Sequence, residues 1–287
     1  MYGYYPFDSI KTESVSRTLE SGYNDYCAAL MAKKLGAEND YKFFRKRSEF
    51  YKNLYDPTTG YLRGKDTKGN FRSPFDPFTL SHGSVFGGDY TEGNAAQYSW
   101  HVLQDIPQLI SIMGGKRIAE ERLDSLFHTT RKSSNEILDA TGLIGQYVHG
   151  NEPCHHVAYL YNYVDKPRKT QELINRICND FYKNKPDGLI GNDDCGQMSA
   201  WYVLSVIGFY PVDPASGEFV LGAPQIPAAD IHVRNGKIFK MRANNFSSKN
   251  IYVDRVELNG KLYSQQSVSY KDIMNGAELV FYMTDKK

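Results

Sequence analysis

Gly88-Asp89-Tyr90-Thr91-Glu92-Gly93-Asn94-Ala95-Ala96-Gln97-Tyr98-Ser99-Trp100 sets a lone carboxylic acid between a glycine-led loop and an aromatic-rich segment. Gly87, Gly88 and Gly93 loosen the backbone on both sides of Glu92. Thr91 is the expected N-cap of a helix running through Gln97 and Trp100 towards Met113. Glu92 then sits where the chain enters a helix, at a rim rather than in a core. The plain alternative is an acid that offsets the positive helix end. Tyr90, Asn94, Gln97, Tyr98 and Trp100 crowd around it, and amides with rings at helix spacing suit a sugar.

Bulk composition narrows the options. The chain has 287 residues, 34 basic and 33 acidic, for a net charge of +1. That balance argues against nucleic acid or an anionic membrane as partner. No apolar run approaches the roughly 20 residues of a membrane span. Met1-Tyr-Gly-Tyr-Tyr-Pro6 has neither the basic nor the apolar region of a signal peptide. Cys27, Cys154, Cys178 and Cys195 lack CxxC spacing and read as free thiols, with no zinc site. The 22 Tyr and 15 Phe suit a wet, concave, carbohydrate-facing surface as well as an ordinary core.

Outward from the quoted stretch, the pattern is helix, long loop, helix. Residues 13–35 read as an amphipathic helix with Val15, Leu19, Tyr23, Cys27, Leu30, Met31 and Leu35 inward and Gly36 as C-cap. Residues 38–54 read as a second, with Tyr41, Phe44, Ser48, Tyr51 and Leu54 on one face. Asp56-Pro57-Thr58-Thr59-Gly60 ends it, and 61–90 is a long loop. Helices are expected at 93–113 and 116–128, then, after an irregular 130–152, from near His155, at 167–183 and from Met198 to Gly208. After Tyr210-Pro211 short β-like runs take over, with Asn235-Gly236 and Asn259-Gly260 as hairpin turns. The fold class is therefore mainly α with a C-terminal β region. Residues 1–212 read as a helical domain with polar motifs in its loops, and 213–287 as an antiparallel β segment.

Two other loops carry chemistry. Asn151-Glu152-Pro153-Cys154-His155-His156 places an amide, a carboxylate and two imidazoles at a helix entrance. Adjacent His155 and His156 point about 100° apart, so they do not form an i, i+4 zinc pair. Each is either a satisfied structural histidine or a contact to a substrate hydroxyl. Asn192-Asp193-Asp194 lies between Gly191 and Gly196, again before a helix, and capping is its plain alternative. No EF-hand pattern surrounds it. Oxygen donors from three loops favour a hard cation such as calcium over zinc. Two separated acids also meet the need of glycoside hydrolysis, one protonated to expel the leaving group and one ionised to activate water.

Three blocks then carry a resemblance: GDYTEGNAAQYSWHVLQDIPQLISIMGG, GQYVHGNEPCHHVAYLYNY and PDGLIGNDDCGQMSAWYVLSVIGFYPVDPASGEFVLGAP. In this order they resemble glycoside hydrolase family 92, the calcium-dependent inverting exo-α-mannosidases, from about Pro6 to the end. The resemblance implies an (α/α)6 toroid, here its later part, followed by antiparallel β-sandwich strands. It implies Glu92 as general acid and Asp194 as general base, with Asp193 beside it. Glu152, Asn151 and Asp194 would lie at the Ca2+ site. His155, His156, Trp100 and Gln97 would contact the sugar of a mannose-containing glycan.

Family members are longer and carry an N-terminal β-sandwich domain, so a C-terminal fragment with an incomplete toroid and open strand edges is expected. The family usually acts outside the cytoplasm in bacteria. Thr79–Phe86 looks like an insertion, and Asn151 stands where relatives selective for α-1,2 linkages tend to have His, which points to another linkage. The competing reading is a carbohydrate-binding remnant that lacks turnover without the missing domain. A trehalase-like or glucoamylase-like enzyme is a third reading, against which the GNEPCHH and NDDCGQ blocks count.

Overall fold

The computed structural model describes residues 2–81, 88–133 and 140–287. Most of the expected insertion Thr79–Phe86, Gly87 and part of the 130–152 stretch fall outside these residues. The chain divides into two compact units, Met1–Cys154 and His155–Lys287. The division expected at 212/213 marks a change of secondary structure within the second unit.

The first unit contains helices α1 (Phe7–Ile10), α2 (Ser14–Leu35), α3 (Glu38–Arg47), α4 (Ala95–Tyr98), α5 (Ile106–Ile112) and α6 (Lys116–His128). Two small hairpins join them, β1 (Tyr55–Asp56) with β2 (Tyr61–Leu62) and β3 (Leu143–Ile144) with β4 (Tyr147–Val148). Helix α2 begins and ends as expected, and Gly36 closes it with a left-handed φ of 74°. Its buried face departs from the expected one. Val15 and Leu19 are buried, but Met31 and Leu35 are exposed, and Gly22, Asp25, Ala29 and Ala32 are buried instead. Small residues let the neighbouring chain approach, and the buried Asp25 is ion-paired to Arg47 of α3 at 2.9 Å.

The expected helix 38–54 is broken. Ser48 donates from its hydroxyl to the Arg45 carbonyl at 2.7 Å, a local bond that competes with the helix, and a 3₁₀ segment Phe50–Leu54 follows. The expected helix 93–113 is also interrupted, at His101–Val102. Pro107 is tolerated only in a first turn, where its missing N–H is not needed, so α5 starts afresh there.

The second unit opens with a 3₁₀ segment, Val157–Val164, where an α-helix was expected. Helices α7 (Pro167–Phe181) and α8 (Gln197–Ile207) follow, and Gly208 caps α8 in the left-handed region. Strands β5 (Phe209–Tyr210), β6 (Glu218–Leu221) and β11 (Ser267–Ser269) form one sheet, in the order β11-β6-β5. Strands β7 (Ala228–His232), β8 (Ile238–Asn244), β9 (Tyr252–Leu258), β10 (Lys261–Tyr263) and β12 (Glu278–Thr284) form the other, in the order β10-β9-β12-β8-β7. A short helix α9 (Tyr270–Met274) precedes β12.

Alternating burial along β8 and β12 directs Phe239, Met241, Leu279 and Phe281 into one core with Phe209 and Val268 of the smaller sheet. The expectation of purely antiparallel strands needs correction. β12 inserts between β8 and β9 and runs parallel to β8, so the larger sheet is mixed. The Asn259-Gly260 turn joins β9 to β10 with φ of 52° and 73°, as a type I′ hairpin requires.

Candidate active site

The site begins with the backbone of Glu92. Its φ of 48° lies in the left-handed region, which costs an ordinary L-residue roughly 1–2 kcal/mol. The surroundings hold it there. Ser81 and Gly93 exchange main-chain hydrogen bonds at 2.9 and 3.1 Å. The Ser81 hydroxyl donates to the Tyr90 carbonyl at 2.6 Å and accepts from the Tyr90 amide at 3.0 Å. Thr91 N–H donates to Ser16 Oγ at 2.9 Å, and Asn151 Nδ2 donates to the Glu92 carbonyl at 2.6 Å.

Three residues before Glu92, the buried Asp89 carboxylate accepts two bonds from Arg72, at 2.7 and 2.8 Å, and one from Ser14 at 2.8 Å. Its main-chain carbonyl accepts from Val15 and Ser16. The loop therefore satisfies the orphan donors at the start of α2, which has no side-chain cap of its own. Gly93 is required by space, because a Cβ there would lie 2.8 Å from Gln97 Oε1.

Thr91 is not the N-cap of the following helix. Asn94 is: its side chain accepts from Gln97 N–H at 3.1 Å, while Gln97 Oε1 accepts from Asn94 N–H at 3.0 Å, a capping box. Gln97 Nε2 donates to the Gln146 carbonyl at 2.9 Å, and Asn94 Nδ2 donates to Gln146 Oε1 at 2.8 Å. The Gln97 amide is thus engaged inside the fold. Trp100 is buried and lines a cavity of about 230 Å³ with Tyr61, Phe78, Met113 and Arg122, whose lining does not include Glu92. Burial pushes the Tyr90 and Tyr98 phenols well above their ordinary pKa, so both remain neutral donors.

Asn151 and Glu92 are brought into direct contact, and Glu152 follows Asn151 in a 3₁₀ turn. Glu152 is half-buried, and its carboxylate has no hydrogen-bond partner among the described residues. Glu152 and the Asn151 Oδ1 are oxygen donors of the type calcium accepts. Two donors fall well short of the six to eight that calcium takes. Among the described residues no three His, Cys, Asp or Glu converge on a common metal position.

In the second unit, Asp194, Cys195 and Gly196 are three consecutive left-handed residues, with φ of 47°, 58° and 95°. This turn separates the two acids. Asp193 Oδ1 accepts from Ser199 N–H at 3.1 Å and Ser199 Oγ at 2.8 Å, capping α8. Asp194 is exposed, and its carboxylate has no hydrogen-bond partner among the described residues. His155 and His156 are 1% and 4% exposed. Gln197 Nε2 lies 3.2 Å from His155 Nδ1, and Trp201 Nε1 donates to the His155 carbonyl at 2.9 Å. All four cysteines are free, as expected.

Ser81, Gln146 and Gln197 were not anticipated as parts of the site, and Asn94 was expected beside the acid but not as the helix cap. The Asn94-x-x-Gln97 spacing is a legible capping box. Ser81 and Gln146 act through contacts far along the chain that carry no local signal.

Polar loops with strained acids, set among helices ahead of a mixed β region, suit a carboxylate-based glycosidase. Residues 1–285 match the glycosyl hydrolase family 92 catalytic domain, and the chain belongs to that family. The structure superposes on the α-mannosidase BT3965 of Bacteroides thetaiotaomicron, solved with mannoimidazole, with a TM-score of 0.93 and 50% identity over 99% of this chain and 38% of that one. The inverting mannosidase BT2199 of the same organism matches with a TM-score of 0.87 and 33% identity, over 99% and 39% of the two chains. An uncharacterized secreted glycosidase of Arthroderma benhamiae is 30% identical over 290 residues, 94% of this chain and 35% of that protein. The chain therefore spans just over a third of the length of these relatives. No helix among the described residues is long and apolar enough to cross a membrane.

Proposed function

We propose that the chain forms part of an exo-α-mannosidase that releases terminal α-linked mannose from a glycan by single displacement with inversion. The observation that carries the reading is the immobilised, left-handed Glu92, held through its own carbonyl by Asn151, in a chain that is 50% identical to an α-mannosidase. Strained backbone that its neighbours over-determine is characteristic of functional positions.

Glu92 is the general acid. It gives its proton to the glycosidic oxygen as the bond to the anomeric carbon breaks. Asp194 is the general base. It takes a proton from the water that attacks the opposite face of that carbon. Inversion needs the two carboxyl groups about 6.5–9.5 Å apart, so that a water fits between base and sugar. Neighbours such as Asp193 and Asp194 cannot share the two roles, and the capping bonds of Asp193 favour Asp194 as the base. Exposure of the Asp194 carboxylate suits an ionised group that meets water.

Glu152, Asn151 and Asp194 would supply part of a calcium shell and leave its remaining donors to other groups. When bound, the ion would orient two sugar hydroxyls and help distort the ring. His155 and His156 are assigned to the sugar subsite. The Gln97 amide is engaged by Asn94 and Gln146, which favours support of the acid loop over direct sugar contact, and Trp100 is assigned to the sugar subsite with the histidines. The helices are read as part of an (α/α)6 toroid, and a secreted relative supports an extracellular setting.

Stereochemistry tests the reading. An α-mannoside followed by proton NMR should give β-mannose as the first product, before mutarotation. First release of α-mannose would assign a double displacement and remove Asp194 from the base role.

A further inference from the structure

Residues Gln197 and Trp201 stand four apart on α8 and so share one helix face. Both hold His155. Trp201 Nε1 donates to its main-chain carbonyl at 2.9 Å, and Gln197 Nε2 lies 3.2 Å from its ring Nδ1. Gln197 is the first residue of α8, and its amide N–H is tied to the Asp194 carbonyl at 3.2 Å. Its side-chain Nε2 also reaches the Tyr210 hydroxyl, at 3.4 Å. Tyr210 is buried and stacked on Tyr159, with ring centroids 5.4 Å apart. The His155 ring lies 6.3 Å from Trp201. The amide that faces Nδ1 is thus held by a helix start on one side and an aromatic wall on the other.

With the Gln197 NH2 placed towards Nδ1, the amide has two protons and no lone pair to offer, which makes that ring nitrogen the acceptor. A neutral imidazole has one N–H, and the bond at one nitrogen decides which nitrogen carries it. We infer that Gln197 is a positioning residue that fixes His155 as the tautomer with its proton on Nε2. The imidazole then carries its one N–H at Nε2. This tautomer is independent of the mannosidase reading.

Long-range proton–nitrogen NMR of the histidine-labelled chain near neutral pH reads the tautomer directly. The expected pattern for His155 is an unprotonated Nδ1 and a protonated Nε2. Gln197→Glu replaces the donor by a carboxylate that only accepts, so a proton should appear on Nδ1. Gln197→Met, similar in size and without a donor, should give a mixture of tautomers in a chain that still melts cooperatively. The responding signal identifies His155. A wild-type His155 with its proton on Nδ1, or a pattern that neither substitution moves, would overturn the inference. If Gln197→Glu fails to fold, the wild-type pattern together with Gln197→Met decides it. The NMR pattern decides the tautomer whether or not the chain hydrolyses a mannoside, and the stereochemical test decides the mannosidase reading, so the two fail separately.

Discussion

The Asn151 side-chain amide donates to the main-chain carbonyl of Glu92 at 2.6 Å, across 59 positions of sequence. This bond ties two of the three polar motifs together, and it acts on the backbone of the acid rather than on its carboxyl group. Asn151→Ala removes it while leaving the carboxyl group in place. The expected result is a stability loss of about 1 kcal/mol, the net worth of one hydrogen bond. Turnover should fall further, on the order of 100-fold, because a small misplacement of a reacting group is expensive. Denaturant unfolding set beside the kinetics checks both. Unchanged turnover in a destabilised protein would confine Asn151 to scaffolding.

The two adjacent aspartates should separate cleanly. Asp193→Ala loses the cap of α8 and should destabilise by about 1 kcal/mol. Asp194→Asn keeps a residue type that tolerates φ of 47°, so the melting temperature should hold. Its turnover should fall by roughly 10²–10⁴ for loss of a general base. The reverse pattern would make Asp193 the base.

Strain at Glu92 predicts a trade of stability against activity. Gly adopts a φ of 48° without penalty, although it gains entropy in the unfolded chain. Glu92→Gly should therefore be neutral to about 1 kcal/mol stabilising while hydrolysis is lost. A marked destabilisation would show that the side chain contributes more to the fold than its backbone costs.

Acid should weaken the first unit through Asp56. Burial by itself would raise this pKa, but hydrogen bonds from Thr58, Arg63 and Thr59 hold it far below the ordinary value of 3.8. The folded state then binds fewer protons than the unfolded state in that range, so stability rises with pH there. This contribution is complete above the unfolded value near 3.8 and is lost as pH falls through the folded value. Asp56→Asn should flatten the acid limb of the stability profile. It should also cost about 3 kcal/mol at neutral pH, because Arg63 would be left without its buried partner. An acid limb that Asp56→Asn leaves unchanged would remove the carboxylate from that role.

The sequence marked the helices that have strong local signals. α2 and α6 lie where periodicity and Gly36 put them, and the turns at Asn259 and Gly208 follow from residues that accept left-handed backbone. Long-range effects were less legible. Large apolar residues suggested Met31 and Leu35 as core, whereas the buried stripe follows Ala29 and Ala32, because the helix packs where its neighbour comes closest. Parallel pairing of β12 with β8 depends on which strands meet, and no residue in either strand encodes it alone. At the candidate site the motifs were visible as motifs. Their division of labour was not: which aspartate caps a helix, or that Gln97 closes on Gln146, depends on hydrogen-bond geometry.

Hydrolysis of an aryl α-mannoside by the purified chain, with calcium and with a chelator, beside Glu92→Gln and Asp194→Asn, tests the assignment of the two acids most directly. The expected result is turnover that the chelator abolishes and that either substitution lowers by roughly 10²–10⁴. For Glu92→Gln the loss should be larger on a mannose disaccharide, whose poorer leaving group depends more on the acid. Turnover that survives Glu92→Gln on the disaccharide would contradict the role given to Glu92.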